Sequence, residues 1–237
     1  MSGFKKAFSG QKNIFLVAIH VGLDEAVTSA DVEIARGEGA DGIFLIKDYT
    51  TLATDDDVLA AYDYTRSKYP LWWIGVNLLD HMPAEAIRRI KQSTSGLWID
   101  SSQIREGKPD GADYLRKIHE YLITFRHRVP LLFASIAFKY QEPVKDFAAV
   151  TRLAEPYADV LVTSGDATGV PADFEKIAIM RTAATKAPLV LASGVSVDNV
   201  KRYIELGVDG FIVNTSISTD GRLDAAKVGA LRDKIPR

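Results

Sequence analysis

Apolar residues fall in short runs spaced along the 237 residues, at 13–20, 42–46, 71–77, 97–100, 130–138, 160–163, 189–192 and 210–213. The runs are rich in Val, Ile, Leu and Phe, and are continuous rather than alternating. That is the pattern of parallel strands covered on both faces. Amphipathic stretches separate them. Val58, Leu59, Ala61 and Tyr62 share one helical face, as do Ile87 and Ile90 behind Pro83, which suits a first helical turn. Tyr114, Leu115, Ile118, Tyr121, Leu122 and Phe125 predict the longest helix. Further helices are predicted around Phe147, Val150 and Leu153, around Phe174, Ile177 and Met180, around Val200, Tyr203 and Ile204, and from Ala225 to Ile235.

Eight strand and helix pairs at about 30 residues each match a single (β/α)₈ TIM barrel spanning 1–237. A doubly wound sheet competes, but it prefers a glycine-rich dinucleotide fingerprint after the first strand, where this chain has His20-Val21-Gly22. Gly39-Ala40-Asp41-Gly42-Ile43-Phe44 and Gly207-Val208-Asp209-Gly210-Phe211-Ile212 echo each other as a helix stop followed by a strand entry. Such an echo marks repeated units inside one domain.

Composition narrows the function. With 29 Lys+Arg against 31 Asp+Glu, the net charge is −2, which offers no general attraction to nucleic acid. The absence of Cys excludes disulfides, thiolate zinc and thiol catalysis, and fits a reducing compartment. Lys5, Lys6 and Lys12 before an apolar run imitate a secretory signal, but the run passes directly into His20, and a first core strand is the better reading. No run is long enough for membrane insertion. The expectation is a cytoplasmic protein acting on a small molecule, with homo-oligomerisation through the outer helices compatible with the fold.

Barrel chemistry sits at the C-terminal ends of the strands. Three late turns stand out there: Ser164-Gly165-Asp166-Ala167-Thr168-Gly169, Ser193-Gly194-Val195 and Asn214-Thr215-Ser216. Small residues let backbone N–H groups approach an anion, and helix starts add a favourable dipole. Ser164, Gly165, Ser193, Gly194, Asn214 and Thr215 are therefore expected to grip a phosphate. The competing reading is that they only make tight turns.

These residues carry a family resemblance. The stretch from Ala158-Asp159 to Gly169, Pro188 to Val195 with Asn199, and Asp209 to Val213 with Asp220-Gly221 resemble the BtpA/SgcQ family. Gly75-Val76-Asn77-Leu78-Leu79, His20 and Lys139 fit the same pattern more loosely. The resemblance implies a phosphate-binding TIM barrel of the ribulose-phosphate-binding kind. It also implies nucleosidase or phosphoribosyl-type chemistry or, as for the member that names the family, a non-catalytic role in photosystem I biogenesis. Departures mark a divergent member. Asn214-Thr215 replaces a small Gly-Ser pair, Ser218 a basic residue, Ile46-Lys47-Asp48 an acidic residue plus Asn, and Tyr140 a His; the loop after the first strand lacks its prolines.

Among single residues, His20 could exchange protons near neutral pH or simply bond a backbone carbonyl. Lys139 could hold an anion, act as a base or form a Schiff base, or pair with Asp100 or Asp166. Asp48, Asp80, Asp100 and Asp166 are the acidic candidates. The first three follow successive strands, where acid–base work or Mg²⁺ competes with plain capping. Asn77 and Thr168 are candidate substrate contacts. No histidine spacing supports zinc. His119 and His127 are expected on the surface or in packing, and at most one of Trp72 and Trp73 can face the barrel interior. Asn214, standing where glycine is expected, should take a glycine-like backbone or donate its amide to the ligand. Gly194→Val should abolish phosphate binding in a folded barrel.

Overall fold

The structure is a computed structural model that describes residues 3–125 and 130–236. Eight parallel strands close in chain order: β1 (Ile14–Val21), β2 (Gly42–Lys47), β3 (Trp73–Asn77), β4 (Gly96–Ile99), β5 (Leu131–Ser135), β6 (Val160–Thr163), β7 (Leu189–Ala192) and β8 (Gly210–Val213). Closure comes from β1 against β8, with Ile14 opposite Gly210 and Val17 opposite Val213. Outside lie α2 (Glu25–Gly37), α3 (Asp55–Lys68), α4 (Pro83–Arg89), α5 (Asp110–Phe125), α6 (Phe147–Ala154), α7 (Phe174–Ala183), α8 (Val200–Glu205) and α9 (Ala225–Arg232). The barrel expected from the apolar pattern is thus the observed fold. No helix among the described residues is long and apolar enough to cross a membrane.

Strand parity sorts the side chains. Ile14, Leu16 and Ala18 of β1 point inward with Phe44, Trp73, Trp98, Phe133, Val162, Val190 and Ile212. The alternate residues Phe15, Val17 and Ile19 join the outer layer under the helices. Trp73 is therefore interior, whereas Trp72 packs outside against Tyr69, as the parity argument required. Phe44 stands at the centre, its ring centroid 5.1 Å from Trp73 and 5.0 Å from Phe133, in edge-on contacts. Gly75 makes room for it: a Cβ there would lie 2.4 Å from a Phe44 ring carbon.

The short helix α1 (Gly3–Ala7), which the apolar pattern does not reveal, plugs the N-terminal end of the barrel. Its Phe4 and the following Phe8 pack on Phe133 and Trp73. Strand five is shorter than the predicted 130–138, because Ala137 turns to φ 44° and the buried chain through Phe138 leaves the sheet. Leu71 is fully exposed in the turn before β3 rather than in that strand. His119 is half-buried on α5, and His127 lies outside the described residues.

Candidate functional site

The inward parity that fills the barrel continues past the strand ends and places polar groups in its mouth. His20 follows Ala18, Asn77 follows Gly75, Asp100 follows Trp98 and Asn214 follows Ile212 at the same two-residue step. Three neighbouring cavities open there, of about 190, 350 and 340 Å³, and Asp100 and Lys139 lie on their shared walls. A larger cavity of about 460 Å³, beside Arg66 and Trp73, belongs to the N-terminal end, away from the face where barrel chemistry sits.

Asp100 is the carboxyl of this mouth whose pKa is raised. Burial pushes it above the ordinary range, against the opposing pull of Asn77 and Lys139. Asn77, only 1% exposed, donates from Nδ2 to Asp100 Oδ1 at 2.9 Å. Its amide therefore positions the carboxyl, and Asn77 also lines the 190 Å³ cavity beside Asp100. The His20 ring is open to solvent at the mouth but has protein on most sides. This desolvation lowers its pKa, with Asp48 opposing and Lys139 assisting, so the imidazole is neutral at pH 7. Lys139 makes no ion pair within 4 Å with Asp100 or Asp166. Its Nζ donates to Thr168 Oγ1 at 3.0 Å, while its backbone N–H donates to Ser164 Oγ at 2.8 Å.

The other acidic candidates have local duties. Burial would raise Asp48, but its bonds from the Thr50 hydroxyl and N–H (2.7 and 2.8 Å) and the nearby His20 hold it below the usual carboxylate range. Asp80 is held low by its hydrogen-bonded ion pair with Lys47. Asp166 is exposed at the edge of the mouth. The three carboxylates after β2, β3 and β4 do not converge, and among the described residues no group of three His, Asp or Glu side chains could hold a metal ion.

The three late turns do come together, yet their side chains are spent on one another. Gly169 N–H donates to Ser193 Oγ at 2.9 Å, and Ser216 Oγ donates to the Val195 carbonyl. Ser164 is fully buried and donates to the Gly165 carbonyl at 2.7 Å, so its hydroxyl does not face a ligand. Asn214 corrects its expectation on both counts. Its φ is −141°, outside the left-handed region, and its amide donates to the Ala18 carbonyl at 2.8 Å across the β1–β8 seam. What remains for an anion is backbone N–H at the turns, including the start of the one-turn 3₁₀ helix that begins at exposed Thr215.

Gly194 also needs its glycine for a different reason. Its φ is +69°, and a Cβ there would lie 2.1 Å from the Val170 carbonyl oxygen. Gly194→Val should therefore unseat the 166–172 segment, read as faster hydrogen exchange and proteolysis there in a barrel that still melts cooperatively. Loss of phosphate affinity would accompany that displacement instead of locating the grip by itself. Unchanged exchange would contradict the packing.

Of the four charged residues buried among those described, Asp31, Asp55, Lys176 and Arg232, sequence reasoning singled out none, and two of them bear on the mouth. Asp55, 1% exposed at the start of α3, accepts from Leu79 N–H (3.0 Å), Asp80 N–H (2.9 Å) and His81 Nδ1 (2.7 Å). Lys176 on α7, 8% exposed, donates from Nζ to the carbonyls of Ala137 (2.5 Å) and Ser164 (2.7 Å), clasping the chain just past β5 and β6 on the wall of the 340 Å³ cavity. A run of three aspartates at 55–57 resembles a solvated helix start, and Lys176 follows Glu175 on a predicted helix where a lysine is ordinarily solvated, so neither announced its burial.

Known proteins resemble the chain in family and in fold. The profile of the BtpA family matches residues 74–236. A protein of Thermococcus kodakarensis described as uncharacterized is 36% identical over 111 residues, 45% of this chain and 41% of that protein. The N-(5'-phosphoribosyl)anthranilate isomerase of Geobacillus thermodenitrificans is 33% identical over 69 residues, 28% of this chain and 31% of that enzyme. The chain thus matches less than half the length of these relatives. Among solved structures, one from Aquifex aeolicus superposes with a TM-score of 0.71 at 12% identity, covering 100% of both chains. The (S)-3-O-geranylgeranylglyceryl phosphate synthase of Thermoplasma acidophilum, solved with sn-glycerol-1-phosphate, gives 0.65 at 10% identity, covering 99% of this chain and 98% of that one. The N-(5'-phosphoribosyl)anthranilate isomerase of Pyrococcus furiosus gives 0.60 at 13%, covering 94% and 98%. At such identities these likenesses speak for the fold alone.

Proposed function

The chain belongs to the BtpA family, and on that premise we propose that it is an enzyme working at the anomeric carbon of a small phosphorylated, ribose-like metabolite, by nucleosidase or phosphoribosyl-type chemistry. The observation that carries this reading is Asp100: a carboxyl pushed upward by burial, held by Asn77 and facing the cation of Lys139 in the barrel mouth. A protonated carboxyl gives its proton to a departing base, and a nearby ionised group steadies the positive charge that develops on the sugar ring. Backbone N–H groups of the turns after β7 and β8 hold the phosphate, and Lys139 and Thr168 close its flank. Phosphorylated ligands named for the structural relatives support the ligand class, and the cysteine-free sequence suits a reducing cytoplasm.

One observation favours the rival, a non-catalytic assembly factor: the side chains of Ser164, Ser193 and Asn214 are engaged within the chain. A panel of nucleosides, nucleotides and phosphoribosyl compounds decides between them, with release of free base or ribose 5-phosphate as the readout. Turnover of at least one member is expected. No turnover, together with a stable protein partner in pull-downs, would establish the factor instead.

A further inference from the structure

Asp80 and His81 are adjacent in sequence, but the fold gives their side chains different partners. Asp80 pairs with Lys47 and accepts from the Asp55 backbone N–H at 3.0 Å, while the His81 ring meets the Asp55 carboxylate. Asp55 has a side chain with no solvent exposure, and its two oxygens are fixed by the N–H groups of Leu79 and Asp80. Its Oδ2 lies 2.7 Å from His81 Nδ1, so a neutral ring donates from Nδ1 and keeps its lone pair on Nε2. Glu85 Oε1 is 3.7 Å from Nε2, too long for a hydrogen bond but close enough to steady an imidazolium. His81 and Asp100 line the same cavity of about 190 Å³, which meets the 350 Å³ cavity at Asp100, Ser101 and Gln103.

We infer that Asp55 and His81 form a carboxylate–imidazole dyad whose Nε2 is the general base of this barrel, on the cavity it lines together with Asp100. The inference rests on the proposed chemistry at the anomeric carbon. Nε2 takes a proton from a water whose oxygen forms the new bond to that carbon. The bond to the departing nitrogen or oxygen breaks with its electron pair, and that atom takes the proton of Asp100. One water is consumed, and the proton on His81 returns to Asp100 through solvent, closing the cycle. Asp55 acts as the positioning residue: it sets the tautomer and stabilises the charged ring. The cavity is too small for a whole phosphorylated sugar, and suits the reacting water and the ring edge, with the phosphate lying across the mouth.

The test uses the full chain at pH 8, where ordinary imidazoles are neutral. Long-range ¹H–¹⁵N NMR reads the tautomer of His81, assigned with His81→Gln. Diethyl pyrocarbonate acylation, mapped by mass, reads its Nε2 lone pair with and without ribose 5-phosphate, whose binding is measured separately by calorimetry. The expected result is an Nδ1–H ring that is acylated at Nε2 and slowed tenfold or more by ribose 5-phosphate. An Nε2–H ring, or one that resists acylation while His20 reacts, overturns the base. Binding of ribose 5-phosphate without protection of His81 overturns the inference alone. Absence of binding overturns the ligand reading and the inference with it. None of these measurements uses Asp55→Asn, so they stand even where that variant fails to fold; where it folds, acylation of His81 should slow severalfold.

Discussion

Asp100→Asn should lower turnover by about 10²- to 10⁴-fold, the usual worth of a general acid, in a barrel that melts no earlier than the parent at pH 7. The variant keeps an oxygen to accept the Asn77 amide at the same place, so geometry survives while the transferable proton does not. Stability should move the opposite way to activity. Burial raises Asp100 above its ordinary value, so the folded state binds its proton more tightly than the unfolded chain does. That contribution is full below the ordinary carboxylate value and is lost as pH rises through the folded one. Asparagine carries no such loss, and the variant should therefore gain on the parent as pH climbs from 4 to 7. In the parent, turnover should fall as pH passes the Asp100 value and the acid loses its proton. Rates against pH on the compound turned over in the panel, paired with thermal melts at pH 4 and 7, check both halves. Turnover within threefold of the parent would remove Asp100 from the chemistry.

How far the sequence disclosed this site depends on the range of the contacts that build it. Continuous apolar runs predicted all eight strands, because burial on both faces of a closed parallel sheet is a local demand on each segment. Parity did more: the two-residue step that fills the barrel with Leu16, Phe44 and Trp98 also lifts His20 and Asp100 into the mouth. The late turns were legible as turns, and the fold does bring them together. Their small residues nonetheless serve packing, since Gly165 and Gly194 both back onto the Val170–Pro171 backbone. That segment arrives from a loop whose path no local pattern encodes. Asp55 shows the limit most clearly. Its three partners lie between 24 and 26 positions away, and an aspartate at a helix start has an ordinary capping explanation that needs none of them. The Asn77–Asp100 bond was likewise out of reach, because a sequence shows that two polar groups reach one end of a barrel, not which of them bonds the other.

Lys176 leads to the second large effect, a stability difference that grows with pH. Its ammonium lies under the Phe147 ring, between the carbonyls of Ala137 and Ser164, with Asp166 and Asp173 as the facing carboxylates. Burial outweighs those carboxylates and pushes its pKa down from 10.5 to about 8. The unfolded chain then holds the proton more tightly, so the number of protons bound is greater unfolded than folded between these values, and stability rises with pH there. Below pH 8 both states are charged and the full cost of burying the ammonium is present; it is relieved as pH climbs toward 10.5. The span is at most about 3 kcal/mol. Tyr49, pushed up to about 12 by burial and by Asp100, Asp80 and Asp55, acts in the opposite sense above pH 10, but equally in parent and variant, so it cancels in their difference. Lys176→Met removes the titration while keeping the side chain's length, at the cost of leaving the Ser164 carbonyl without its donor. Urea denaturation of both proteins from pH 7 to 10 should show the parent gaining on the variant by about 1–2 kcal/mol. A constant difference would mean that the two carbonyls stabilise the ammonium fully, and that the chain just past β5 and β6 is clasped by a permanent charge on the wall of the 340 Å³ cavity.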